Sequence, residues 1–298
     1  MILLSCRRSD KQRRLRAIRS LLADAMPDQA MPDSIMPTHA SSVLAALPDS
    51  MLTALSLLPD PSQPLTLLTR HSVRERADGQ GFASYDLPLT PMGRQLALEW
   101  GCHLSRQSGR QIAHCISSPI QRCVDTASLM LQGQKHTDQI SIPIELLVLE
   151  QDVQHTGLLV EPGSFVVDVE QAGPLFRQHG PLKFINHFLD EALPGMKAPR
   201  EGVHDILRML HQHQQSEHNQ LLLAVSHDTI LAALLAVMAG HRNITWDDWP
   251  EMMEGVFLWF EGEQFANSQI HWVWRGQRYS KHIDALWVHK DMMDDQIP

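Results

Sequence analysis

At 298 residues the chain is long enough to bury a sizeable core, as one large α/β domain or as one domain carrying an insertion. Its apolar and charged fractions are those of an ordinary globular protein, and a formal net charge of -9 argues against general binding to nucleic acid. The four cysteines, Cys6, Cys102, Cys115 and Cys123, form no C-x-x-C pair. That argues against a metal or dithiol motif and fits buried thiols in a reducing compartment.

The chain opens on a very short apolar stretch followed by charges, which does not read as a secretory signal. No run of about 18 apolar residues occurs, so no transmembrane helix is expected. A cytoplasmic location is the expectation. Residues 7–24 carry Arg7, Arg8, Lys11, Arg13, Arg14, Arg16 and Arg19, with Leu15, Ile18 and Leu22 at helical spacing. Such a basic amphipathic helix either docks on the acidic body or makes contact with a membrane surface or a partner protein; an organellar presequence is a third reading. Residues 25–64 are rich in Pro, Asp, Ser and Met and read as a linker, with a short helix around 41–58 broken by Pro48. The division expected is therefore a basic helix and linker over 1–64, then the main domain over 65–298 with a cap insertion around 150–200.

Leu65 to Thr69 is a short apolar strand. Thr90-Pro91 supplies an N-cap and a first-turn proline for a helix from Met92 to Leu104. His114 to Ser117 is a second strand, after which Ser118-Pro119 opens a helix to about Leu131. Glu145 to Leu149 is a candidate third strand. Residues 150–200 read as irregular, with several glycines and prolines and with Phe165, Phe176, Phe184 and Phe188. A helix follows from Gly202 to Gln214, then a strongly buried strand from Leu221 to Val225. His227 starts an apolar helix through Ala239, and Val256–Phe260 with Gln269–Trp274 forms a closing strand pair. Strands alternating with helices predict a three-layer α/β/α fold around a mainly parallel central sheet, with helices on both faces.

Three segments share one position, at the end of a buried strand: Arg70-His71-x-x-Arg74, Ser117-Ser118-Pro119-Ile120-Gln121-Arg122 and Ser226-His227-Asp228-Thr229. In a doubly wound sheet the carboxyl ends of the strands line the ligand crevice, so segments far apart in sequence converge there. Together they offer three guanidiniums, two imidazoles and one carboxylate. Arginine's planar fork matches phosphate oxygens, and helix starts near Pro119 and Asp228 add backbone donors. An imidazole held among arginines has its proton affinity lowered, which leaves it neutral and nucleophilic near pH 7. Singly, each element is commonplace; their conjunction at strand ends points to a phosphate site.

In these blocks the chain resembles the histidine phosphatase superfamily, of phosphoglycerate-mutase-like fold, over about residues 65–262. Leu67-Leu68-Thr69-Arg70-His71 is similar to that family's nucleophile strand, and Leu89-Thr90-Pro91-Met92-Gly93-Arg94-Gln95-Leu96-Ala97 to its L-T-x-x-G-x-x-x-A helix start. Ser117 to Ala127 resembles its S-S-P-x-x-R-x-x-x-T-A block, and Val225 to Thr229 its second histidine block. Arg74 and Asp228, with Trp246 to Glu254, resemble the acid-phosphatase branch more than the mutase branch. Two positions depart from the pattern: Ser72 stands where the family carries glycine, and Arg76 where the acid branch carries proline.

The resemblance implies a phosphomonoesterase in which His71 becomes a phosphohistidine. Arg70, Arg74, Arg122 and His227 then hold the phosphoryl oxygens, and Asp228 protonates the leaving group. Glu150, near where the mutase-like branch keeps its acid, competes for that last role. The resemblance implies no metal and no cofactor, and the ligand expected is a small phosphorylated substrate or phosphate ion. A phosphoglycerate-mutase-like phosphotransferase using the same His71 is the first rival reading, and a non-catalytic phosphate-binding protein the second.

Overall fold

The computed structural model describes residues 43–75, 86–135, 153–161, 163–190, 193–214 and 218–286. The basic segment 7–24, the candidate strand at 145–149 and Glu150 lie outside the described residues. Seven strands form one sheet in the order β3-β2-β4-β1-β5-β6-β7. They are β1 (Leu65–Arg70), β2 (Gln111–Ser117), β3 (Val153–His155), β4 (Gln220–Ser226), β5 (Gly255–Glu261), β6 (Gln269–Trp274) and β7 (Gln277–His282). β1, β2, β3 and β4 run parallel to one another, while β5, β6 and β7 extend the sheet antiparallel beyond β1.

Each central strand sends alternate side chains to two separate cores, as the two-residue period of a strand requires. In β4, Leu221, Leu223 and Val225 face one core, and Leu222 and Ala224 face the other. In β5, Phe257 and Trp259 oppose Val256, Leu258 and Phe260 in the same way. With both faces covered, β1 and β4 read as nearly unbroken apolar runs, which is why they are legible as buried parallel strands.

The first core is closed by α1 (Asp49–Ala54), α2 (Pro91–Ser108) and α3 (Gln121–Gly133). α2 begins as the sequence predicts: Thr90 Oγ1 accepts from Gly93 N at 2.9 Å, and Pro91 takes the first helical position. α2 and α3 approach closely because Gly101 has no side chain; a Cβ there would sit 2.1 Å from Met130 O. α3 starts at Gln121, later than Ser118-Pro119 suggests. Ser118 does not cap it, because its hydroxyl accepts from Ile120 N and faces His227 instead.

The second core is closed by α4 (Val169–His179), α5 (Pro181–Asp190), α6 (Pro199–His213) and α7 (Asp228–Ala239). α4 and α5 replace the irregular stretch expected over 150–200. Pro174 lies inside α4, and Gly180-Pro181 separates the pair, so breaker residues obscure two amphipathic helices. Phe165, Phe176, Phe184 and Phe188 pack into this core with Val203, Ile206 and Leu207. Within the segment read as linker, Leu47, Met51 and Ala54 are buried in the first core, and Gly255 N donates to Met51 Sδ at 3.1 Å. β7 adds a strand beyond the predicted closing pair.

Candidate active site

Register brings the three chemistry-bearing segments to one level. Arg70 pairs with Ser226 across β1 and β4, and Ser117 pairs with Val225 across β2 and β4. One residue further on, His71 N donates to Ser226 O at 3.0 Å and Ser118 N donates to Val225 O at 2.9 Å. His71, Ser118 and His227 therefore leave adjacent strand ends together, at the carboxyl edge where an open α/β sheet holds its ligand.

His71 is 2 % exposed and has a fixed tautomer. Its Nδ1 lies 2.8 Å from Ser72 O, and a carbonyl only accepts, so Nδ1 carries the hydrogen. The lone pair is left on Nε2, where Arg122 Nε donates at 2.9 Å. Burial, then the charges of Arg122, Arg70 and His227, hold this imidazole well below its ordinary proton affinity. It is neutral at pH 7, with its lone pair aimed at the arginine that enters from α3.

The loop that carries His71 is fastened on both sides. Ser72 N donates to Thr126 Oγ1 at 3.0 Å, and that hydroxyl donates to Arg122 O at 2.7 Å. Ser72 Oγ donates to Gly93 O at 2.7 Å, which gives the serine found at the family's glycine position a structural use. Gly93 itself admits no side chain, since a Cβ would meet Val73 O at 2.0 Å. The helix start and the loop that carries His71 are thus packed backbone to backbone.

His227 is fully buried and stands edge-on to His71, with ring centroids 5.6 Å apart. Its Nε2 meets Ser118 Oγ at 2.9 Å, while Nδ1 faces Arg122 Nη2 at 3.4 Å and Glu161 Oε2 at 3.9 Å. Burial, then Arg122, Arg70 and Arg74, push its proton affinity well down. Cys123 Sγ lies 3.5 Å from His227 Nε2, and burial pushes this thiol up to about 12, so it is inert packing against the imidazole.

Arg70 reaches from the end of β1, where Nη2 pairs with Asp228 Oδ2 at 2.6 Å and Nη1 donates to Pro250 O at 2.8 Å. Asp228 is the first residue of α7, and its Oδ1 accepts from Thr229 N at 2.9 Å. Arg74 is half-buried and feels the charges of Arg122, Arg70, Asp228 and Glu161, which sets it in the same electrostatic neighbourhood. All six residues singled out in the sequence, His71, Asp228, Arg70, Arg74, Arg122 and His227, fall in one cluster.

Glu161 is the member that sequence reasoning missed. Burial first, then the negative charge of Asp228, pushes its carboxyl up from 4.5 to about 7. It follows β3 at Val153–His155, a strand inside the stretch that the sequence reads as irregular. Recognising β3 would have directed attention past its end, to the acidic residue after Leu158-Leu159-Val160. Among the described residues no group of three or more His, Cys, Asp or Glu side chains is placed to hold a metal ion. Nor is any helix among them long and apolar enough to cross a membrane.

Residues 66–146 match the family model of the histidine phosphatase superfamily (branch 1), so the family resemblance read from the motifs holds. That match supports a phosphatase or phosphotransferase activity. A comparison with curated proteins returns no match. Similar solved structures include a mycobacterial hydrolase, 17% identical, covering 71% of this chain and 98% of its own, with a TM-score of 0.47. A mycobacterial glucosyl-3-phosphoglycerate phosphatase is 16% identical over 72% of this chain and 99% of its own, with a TM-score of 0.45. A phosphoserine phosphatase variant from Entamoeba histolytica, in complex with phosphoserine, is 14% identical over 72% of this chain and 94% of its own, with a TM-score of 0.41.

Proposed function

We propose that the chain is a phosphomonoesterase that works through a phosphohistidine on His71. The observation that carries this reading is the pinned imidazole: Nδ1 is committed to Ser72 O, and Nε2 presents a lone pair at the arginine cluster. In the first step Arg122 Nε exchanges its bond to Nε2 for one to a phosphoryl oxygen, and the freed Nε2 lone pair forms a bond to phosphorus as the ester P–O bond breaks. Arg70, Arg74 and Arg122 take the phosphoryl oxygens, and their fixed charge stabilises the transition state, where most of the rate gain in phosphoryl transfer arises. With Ser118 Oγ donating to its Nε2, neutral His227 carries its hydrogen on Nδ1 and donates it to the third oxygen.

The leaving alkoxide needs a proton. Asp228, the donor implied by resemblance to the acid branch, has its carboxylate engaged by Arg70 at 2.6 Å and by Thr229 N. Glu161 is pushed up to about 7 and so carries a proton in a large share of molecules near neutrality. The better-matched donor is Glu161, because general acid catalysis is most efficient with an acid poised near the working pH. Asp228 then serves to hold Arg70. In the second step water attacks the phosphohistidine, Glu161 takes its proton, the N–P bond breaks and phosphate leaves with His71 restored.

The mutase-like rival uses the same first step and differs in the acceptor. Turnover of a panel of phosphomonoesters, with released phosphate counted against phosphoryl groups passed to a second hydroxyl, separates the two. Stoichiometric phosphate release is expected; transfer to an added polyol or sugar acid in place of water would favour the phosphotransferase.

A further inference from the structure

Beneath the loop that bonds Arg70 and His71, the chain builds an ion pair that the proposed chemistry does not use. β6 and β7 are joined by the two residues Arg275 and Gly276, both with positive φ, at 46° and 73°. Such a turn favours asparagine or glycine at its first position, and a long side chain there carries backbone strain. Arg275 bears that strain and spends its donors on one loop. Nε and Nη2 fork onto Glu254 Oε1 and Oε2, each at 2.9 Å; Nη2 also donates to Trp249 O at 2.9 Å, and Nη1 to Asp247 O. Glu254 is 2 % exposed and accepts in addition from Ser50 Oγ and from its own loop at Glu251 N, both at 3.0 Å.

The clamped loop is the seat of the reacting residues. Glu254 O accepts from Arg70 N at 3.0 Å and from Thr69 Oγ1 at 3.1 Å. Pro250 O accepts from the Arg70 guanidinium at 2.8 Å, and Met253 N donates to His71 O at 3.3 Å. Met253 is itself held at φ 64°, a conformation that persists only where the surroundings over-determine it. The backbone that fixes Arg70 and His71 is therefore set by a bidentate pair whose carboxylate is buried.

We infer that Glu254 and Arg275 are positioning residues for phosphoryl transfer, acting through the 246–254 loop on Arg70 and His71; this rests on the proposed reading of the site. Removing Arg275 alone leaves the buried Glu254 carboxylate unpaired and risks unfolding the chain. The test is therefore the double variant Glu254→Gln/Arg275→Asn, which removes both charges and gives the turn a residue that tolerates positive φ. Three quantities are measured on the full chain: the thermal melt, kcat and KM for p-nitrophenyl phosphate, and the affinity for inorganic phosphate by calorimetry. The expected result is a cooperative melt with kcat lowered on the order of 10²-fold, as for small misplacements of reacting groups, and weakened phosphate binding. Arg275→Lys, which keeps the charge but loses the fork, is expected to fall between the double variant and wild type. Unchanged kcat and phosphate affinity in a folded double variant would overturn the inference. Weakened phosphate binding, measured against a wild type that binds phosphate but hydrolyses no ester, would support the positioning role and overturn only the phosphatase reading. A wild type that neither binds phosphate nor turns over an ester would overturn both.

Discussion

In the proposed mechanism, the proton donor is decided by environment at the level of single carboxyl groups. Asp228 and Glu161 both face the arginine cluster, but one is bound to Arg70 and the other is driven towards its neutral form by burial. A general acid works only while protonated, so kcat/KM should fall as the pH rises through about 7, where Glu161 ionises. His71 stays neutral until the pH is well under 6.5, so loss on the acid side begins only there. Glu161→Gln should remove the alkaline limb. It should also slow hydrolysis of an alkyl phosphate by about 10²–10⁴-fold, while an activated aryl phosphate, whose leaving group needs little help, loses far less. Asp228→Asn should loosen Arg70 and slow both substrates alike. If Asp228→Asn shows the leaving-group selectivity and Glu161→Gln does not, the donor is Asp228. Sequence alone could not make this distinction, because Glu161 becomes an acid candidate only through the fold that buries it beside His227.

At the scale of elements, α1 and its flanking turns matter more than their composition suggests. Met51 is 1 % exposed, packs in the first core and accepts from the first residue of β5 through its sulfur. Met51→Ala should therefore cost about 2–5 kcal/mol by chemical denaturation. A change within ~0.5 kcal/mol, the range of an ordinary surface substitution, would mean that this segment is not anchored. Removing residues 1–42 tests separately whether the basic segment is needed for turnover. β1, β2, β4, α2 and α7 were legible in the sequence because both-face burial, a proline at the first helical position and an unbroken apolar helix leave clear periodic marks. α4 and α5 were not, since Pro174 and Gly180-Pro181 look like loop punctuation until Phe176 and Phe184 are seen packed edge to face at 5.0 Å. α1 falls within the short helix expected around 41–58, but surroundings rich in linker-like residues hid its anchoring in the first core. The candidate site residues could be picked out together because each follows a strand that is plain in the sequence. The loop from Trp246 to Glu254 contributes backbone carbonyls, which leave no mark in a sequence.

For the whole molecule, the site's electrostatics set a stability profile. Unfolded, His71 and His227 each take up a proton near pH 6.5; folded, burial and the arginines keep both neutral. Below pH 6.5 the unfolded state therefore binds more protons, and stability falls as the pH falls. Glu161 opposes this, because its raised value lets the folded state hold the extra proton between pH 4.5 and about 7. Two imidazoles against one carboxyl leave the histidines dominant, so stability falls over the pH unit from 6 to 5. The Tm should drop over that unit, and more steeply in Glu161→Gln. A Tm that is flat or rising would contradict neutral buried imidazoles.

The central claim is that phosphorus is bonded to His71 during turnover. The direct measurement is a rapid quench in base, where phosphohistidine survives, after mixing the protein with a radiolabelled phosphomonoester. Mapping the label onto peptides then locates the bond. The account predicts label on the peptide containing His71, discharged when the quench is acid, and neither label nor turnover in a folded His71→Ala protein. Label on another residue, or full turnover by His71→Ala, would contradict it.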